Sequence, residues 1–143
     1  MKEVNPRSEC PVSYTLDFFG DKWSLLIMRD ILLHEKSTYS EFLNSAEKIA
    51  TNILADRLSM LESHGFVTKK VATDKKSKFV YYPTEKSIAL LPILLEIGAW
   101  GSQFRSTPDV MALVKAFKKD KAATIKRLQQ KLKSNIKALS RAS

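Results

Sequence analysis

This chain of 143 residues has a single cysteine, two histidines and only four glycines. One cysteine cannot close an internal disulfide, so an apolar core must hold the fold. Four scattered glycines form no phosphate-cradling loop and no dinucleotide fingerprint. His34 and His64 lack a partner at metal-ligand spacing, and there is no zinc motif. Nucleophile–base pairs are missing too. Catalysis is therefore not expected, and neither a cofactor nor a metal is called for. No apolar run approaches the roughly 20 residues that span a bilayer. The opening M-K-E-V-N-P-R-S-E-C carries charges with no apolar segment behind them, so no secretory signal is read there. With a lone cysteine and no export signal, the expected compartment is the cytoplasm.

Acid is scarce at one end only. The chain holds 24 Lys and Arg against 15 Asp and Glu, a net charge of +9. Residues 1–104 carry thirteen of each sign and balance. Residues 105–143 carry eleven basic residues against only Asp109 and Asp120, so the whole excess lies there. The length suits one domain with a true core and a helical extension, which places the domain at 1–104 and the basic extension at 105–143. A cationic stripe raises association with any polyanion, nucleic acid or acidic membrane alike, and does not by itself identify the partner.

Along the chain, Pro11 suits the first turn of a helix that runs to Gly20. Asp21 is a good N-cap for a second helix, nearly all apolar from Trp23 to Leu33. Ser37 to Tyr39 is expected as a short strand, with Ser40 capping a short third helix through Phe42 and Leu43. The stretch from Ile49 to Glu85 is the most informative. Ile53, Leu54, Leu58 and Leu61 recur at helical spacing, which buries one face, while Thr51, Asn52, Asp56 and Ser59 line the other. Gly65 ends this helix because glycine accepts the left-handed conformation just past a helix end. Phe66 to Ala72 and Phe79 to Tyr82 then read as paired strands joined by a lysine-rich tip, Thr73 to Lys78. Thr84 is expected to cap a helix whose apolar face includes Ile88, Leu91, Leu94, Leu95, Ile97 and Trp100. Pro92 inside that pattern should kink or split it. Ser106, Thr107 and Pro108 form a joint before a short helix over Val110 to Phe117. Lys121 to Leu139 is a longer amphipathic stretch, with Ile125, Leu128, Leu132, Ile136 and Leu139 on one side. The class is mainly α with a small β-hairpin wing: a winged helix-turn-helix with a C-terminal helical extension.

Several pieces carry a family resemblance. They are Cys10-Pro11, Gly20-Asp21-Lys22-Trp23, L-L-I-M-R-D-I-L-L, Y-S-E-F-L, I-A-T-N-I-L-A-D-R-L, L-E-S-H-G-F-V, Y-Y-P-T-E-K and L-L-P-I-L…W-G. In order and spacing, over about residues 10–104, they resemble the HxlR-type family of bacterial winged-helix regulators. The resemblance implies a homodimeric DNA-binding repressor or activator, with the first and last domain helices building the dimer. Three positions depart from it. Ala50-Thr51 stands where the family usually has serine then proline, Ala55 where serine is frequent, and Ser87 where glycine is usual. The first two fall on the DNA-facing surface, so the target sequence is not inherited.

Asn52 and Arg57 are the side chains best able to read bases, since Asn pairs bidentately with adenine and Arg with guanine. Arg57 could equally bridge a phosphate or a nearby acid. Thr51 and Ser59 suit phosphate or water contacts. Asp56 would repel DNA unless it accepts from cytosine or orients Arg57. Ser40, Lys48 and the wing lysines Lys75, Lys76 and Lys78 suit phosphates, which position and do not specify; a lysine-rich tip can also be a solvated turn. Cys10 precedes a helix start, where the dipole stabilises a thiolate, although Glu9 beside it works the other way. In the resembling family a cysteine here serves some members as a sensor of oxidants or electrophiles; otherwise it is an inert residue near the dimer seam.

The basic tail allows three arrangements: its apolar face packs on a partner subunit with lysines outward, it adds non-specific DNA affinity, or it lies on an anionic membrane. The first is the expectation, and the third lacks an aromatic anchor. The function expected is a cytoplasmic, homodimeric transcriptional regulator on double-stranded DNA. Each subunit would place the helix from about Thr51 to Ser63 in one half-site of an inverted-repeat operator. No membrane is involved, and the inducer and the sign of regulation are not specified. The alternative is a protein- or RNA-binding winged-helix module that uses the basic C-terminal helix as its partner surface.

Overall fold

The computed structural model describes residues 5–72 and 78–142, with side chains described through residue 139. The described residues form α1 (Pro11–Phe19), α2 (Ser24–Leu32), α3 (Tyr39–Leu43), α4 (Thr51–Ser63), β1 (Val67–Val71), β2 (Phe79–Pro83), α5 (Glu85–Ile88), α6 (Leu91–Ser102), α7 (Pro108–Lys119) and α8 (Lys121–Ala142). They fall into two compact units, Met1–Thr84 and Glu85–Ser143. The charge boundary near residue 104 lies inside the second.

In the first unit, α1 begins at Pro11 and is closed by Gly20, whose N–H donates to the Leu16 carbonyl at 2.8 Å. A Cβ on Gly20 would stand 2.5 Å from that same oxygen, so glycine is required there. The Asp21 carboxylate then accepts from the Trp23 and Ser24 N–H groups at 2.9 and 3.0 Å and from the Ser24 hydroxyl at 2.7 Å. The regular helix begins at Ser24 with Trp23, not Asp21, at the N-cap position, and Asp21 holds the entering turn from two residues upstream. Phe18, Phe19, Ile27, Met28, Ile31, Phe42, Leu54, Leu58, Leu61 and Phe66 form the core, in which Phe66 meets Phe18 and Phe19 edge to face.

Two local expectations change between α2 and α4. Ser37 to Tyr39 is not a strand: the Ser37 carbonyl accepts one bond from the Tyr81 N–H at 2.8 Å, and α3 already starts at Tyr39. Its cap is Thr38, not Ser40. Thr38 Oγ1 accepts from the Glu41 N–H at 3.3 Å, and Glu41 returns the bond to the Thr38 N–H at 3.1 Å. T-Y-S-E is a capping box, which satisfies two end amides at once and so outcompetes a single serine two residues later. α4 spans Thr51–Ser63 with Ala50 at its N-cap and no side-chain cap bond. It ends at Gly65 (φ 80°), where the Phe66 N–H reaches back to the Leu61 carbonyl at 2.8 Å. β1 and β2 pair antiparallel, with Lys69 opposite Tyr81 and Val71 opposite Phe79. The tip residues Lys75 and Lys76 lie outside the described residues.

In the second unit Pro92 splits the helical pattern, leaving α5 short and standing in the first turn of α6. Ile88, Leu91, Leu94, Leu95 and Ala99 are buried. Ile97 and Trp100, expected on that face, are instead 49% and 66% exposed. At about 100° per residue they fall opposite Leu91 and Leu95, in a stripe with Ile93. Thr107 caps α7, accepting from the Val110 N–H at 3.3 Å. α8 lies against α5, α6 and α7, with Leu132 buried and Ile125, Leu128, Ile136 and Leu139 half-buried. Thr124 donates to the Ala116 carbonyl at 3.2 Å and Gln129 to the Ile88 carbonyl at 3.2 Å. The apolar face expected against a partner subunit is thus covered in part within the chain's own unit, Leu132 fully and the other four residues by half.

Candidate nucleic-acid interface

The site is built on α4 and the turn that delivers it. Leu54, Leu58 and Leu61 anchor one face in the core. The helical period then forces Thr51, Asn52, Ala55, Asp56 and Ser59 outward, and all five are exposed. Their Cα directions fall within an arc of about 140°. Ala55, the departure from the family's frequent serine, lies within this arc, where its methyl suits contact with a thymine methyl.

Arg57 lies off this face. It is half-buried on the flank, with Nε 3.5 Å from Asp21 Oδ2 and Nη1 3.6 Å from Asp56 Oδ2. Its Nε is sealed from solvent without closing a hydrogen bond. Burial pushes the Asp21 carboxyl up, but the Ser24 hydroxyl, the Trp23 and Ser24 amides and the Arg57 charge outweigh it, and the net shift is downward. Arg57 is thus poised between an acid on its own helix and one before α2.

Ser40 on α3 and Lys48 in the turn are exposed. Lys48 has φ 60°, a left-handed conformation unusual for a residue with a side chain. Lys78 is exposed beside the wing, its carbonyl accepting from the Ala72 N–H at 2.8 Å. Lys69, overlooked in the sequence, is a further exposed wing cation and lies 3.9 Å above the Phe79 ring.

The turn between α3 and α4 is clamped by groups that the sequence did not single out. Arg29 on α2 grips Glu47 with two bonds, Nη1 to Oε2 at 2.9 Å and Nη2 to Oε1 at 2.8 Å. It also donates to Asp30 Oδ1 at 2.8 Å. Buried Asp30 accepts from the Ser45 hydroxyl at 2.5 Å, and Lys36 donates to that hydroxyl at 2.6 Å. The Arg29 bonds hold the Glu47 carboxyl down to about 2, and Arg29 itself is raised. The available signal was an R-D pair inside an otherwise apolar helix: a charge buried there needs partners.

Cys10 sits apart, exposed at the N-cap of α1. It closes no cap bond, yet the Ser13 and Val12 amides draw its pKa below the usual thiol value. Among the described residues no group of His, Cys, Asp and Glu is placed to hold a metal ion, and no helix is long and apolar enough to cross a membrane.

Two helices joined by a clamped turn, the second exposing a polar face and followed by a two-stranded wing, define a winged helix-turn-helix. Residues 18–109 match the HxlR-like helix-turn-helix family model, and the chain belongs to that family. It is 32% identical over 105 residues to YybR of Bacillus subtilis, an uncharacterised HTH-type transcriptional regulator, covering 73% of this chain and 83% of that one. Among solved structures, PA1607 is 39% identical with a TM-score of 0.62, over 72% of this chain and 70% of that one. The redox regulator HypR in its oxidised form is 31% identical with a TM-score of 0.60, over 68% of this chain and all of that one. The family and these relatives make this chain a helix-turn-helix transcriptional regulator.

Proposed function

We propose that the chain acts as a homodimer that binds an inverted-repeat operator in double-stranded DNA, each subunit placing α4 in one major groove. The observation that carries this is the exposed arc of Thr51, Asn52, Asp56 and Ser59 on a helix whose entry turn is clamped to α2. The uncapped amides at the start of α4 suit a phosphate, and Ser40, Lys48, Lys69 and Lys78 suit others. The tip lysines Lys75 and Lys76 extend the same reading. Dimerisation is supported by exposed apolar residues on α1 (Val12, Tyr14, Leu16) and on α6 (Ile93, Ile97, Trp100). Such a chain works in the cytoplasm on DNA and needs no catalytic step.

Cys10 supplies the signal in this reading. Its exposure and lowered pKa favour the thiolate, and HypR, a relative at 31% identity, is a redox regulator. Oxidation would join Cys10 to a thiol or carry it to the sulfenic state.

The test is selection of bound fragments from genomic DNA, followed by affinity measurements with and without peroxide or quinone. Asn52→Ala should lower affinity for the selected fragment by about 1–3 kcal/mol, roughly 5–150-fold, and leave random duplex binding unchanged. Arg57→Ala should do the same if Arg57 leaves Asp21 for a guanine. Cys10→Ser should bind normally and ignore the oxidant. Retained specificity in Asn52→Ala would remove the α4 assignment, and an oxidant response surviving in Cys10→Ser would remove the sensor.

A further inference from the structure

α8 belongs to the second unit and lies beyond the residues matched to the family. From Lys121 to Ala142 it holds seven Lys and Arg and no acidic residue. Lys121 is spent on Glu96, 2.7 Å away. Lys126, Arg127, Lys131, Lys133 and Lys137 are all exposed. Helical spacing sets Lys126, Lys133 and Lys137 in one row, at i, i+7 and i+11, and Arg127 and Lys131 in a second beside it. Lys126 and Lys133 also flank a shallow groove of about 430 Å³, shared with Ala122, Ile125, Gln129 and Gln130.

The opposite face is occupied. Leu132 and Thr124 are buried, and α8 is bonded to α5 and α7 through Gln129 and Thr124. An interfacial membrane helix needs a free apolar face to insert. α8 has turned that face into its own unit and shows solvent a polar, cationic one, which fits an extended line of phosphates and no lipid interior. At about 1.5 Å per residue its 22 residues run some 33 Å, close to ten base pairs of duplex.

We propose that the exposed face of α8 is a second, sequence-independent contact surface for the phosphate backbone of duplex DNA. This rests on the reading of the chain as a DNA-binding regulator, and it assigns the charge excess to affinity while α4 supplies specificity.

The test uses the full chain and a Lys126→Gln, Arg127→Gln, Lys133→Gln variant, which keeps helix propensity. Affinity is measured from low to moderate salt for a selected genomic fragment, a random duplex of equal length, single-stranded RNA and phosphatidylserine vesicles. The plot of log affinity against log salt should flatten by about 0.9 per cation removed, some two to three in all, for both duplexes alike. The ratio of specific to random binding should hold. A Lys126→Arg, Lys133→Arg variant should keep the original slope, and the single Lys126→Gln and Lys133→Gln changes should each give part of the loss should the triple variant not fold. An unchanged slope overturns the proposal, as does stronger retention on vesicles or single-stranded RNA than on duplex at equal salt. A wild-type chain that cannot tell the selected fragment from random duplex overturns the operator reading instead, and the slope still reports on α8.

Discussion

Glu47 ties the turn before α4 to α2 through one bidentate contact with Arg29. Its carboxyl titrates near 2 when folded, below the ordinary value near 4.3 of an unfolded glutamate. A carboxyl whose pKa is lowered by folding adds stability that is complete above about pH 5 and is lost as pH falls through 4 toward 2. The side chain is 37% exposed, so solvent screening limits the effect to about 1 kcal/mol. Glu47→Gln should lower the unfolding free energy from urea titration at pH 7 by that amount, and the difference from wild type should shrink toward pH 2 and vanish below it. Arg57 shows the opposite lesson at the same scale. Its placement on α4 was legible, but the pull of Asp21 was not, because the two are far apart in sequence and meet only through packing.

Helix ends decide most of what happens at the scale of elements. α3 has a reciprocal capping box and starts where that box puts it, against the simpler expectation of Ser40. α4 has Ala50 at its cap and leaves its first amides without a side-chain partner. Ala50→Ser supplies that partner and should stabilise the protein by about 0.5–2 kcal/mol in urea unfolding. The same serine would compete with a phosphate for those amides, so affinity should fall equally for operator and random duplex. A gain in stability with unchanged affinity would show that no phosphate sits there. The hydrophobic period found α4 and α8 because one-sided burial imposes it. It failed on α6, which is apolar all round: Leu91, Leu94, Leu95 and Ala99 face inward while Ile93, Ile97 and Trp100 face out. A periodic pattern cannot assign faces where every face is apolar.

The whole molecule leaves an apolar stripe on α6 and another on α1 exposed in the single chain. Exposed stripes of this kind mark association surfaces. Trp100→Glu and Ile97→Glu should shift the mass in light scattering from twice the 16.2 kDa chain to one chain, with thermal stability of the monomer little changed since neither residue is in the core. Operator affinity should fall steeply as the two half-sites uncouple. A dimer that survives both changes would place the seam elsewhere.

Composition and period were enough to establish a winged helix-turn-helix core, the polar face of α4 and the concentration of charge in the tail. Each follows from local rules, since apolar spacing, end caps and charge counts are properties of short stretches. Tertiary structure alone could show that α8 covers part of its apolar face within its own unit, that Arg57 leans on Asp21, and that Arg29, Asp30, Ser45 and Glu47 form a clamp. Those outcomes depend on which surfaces and charges meet after the chain turns back on itself, and no window of sequence contains both partners.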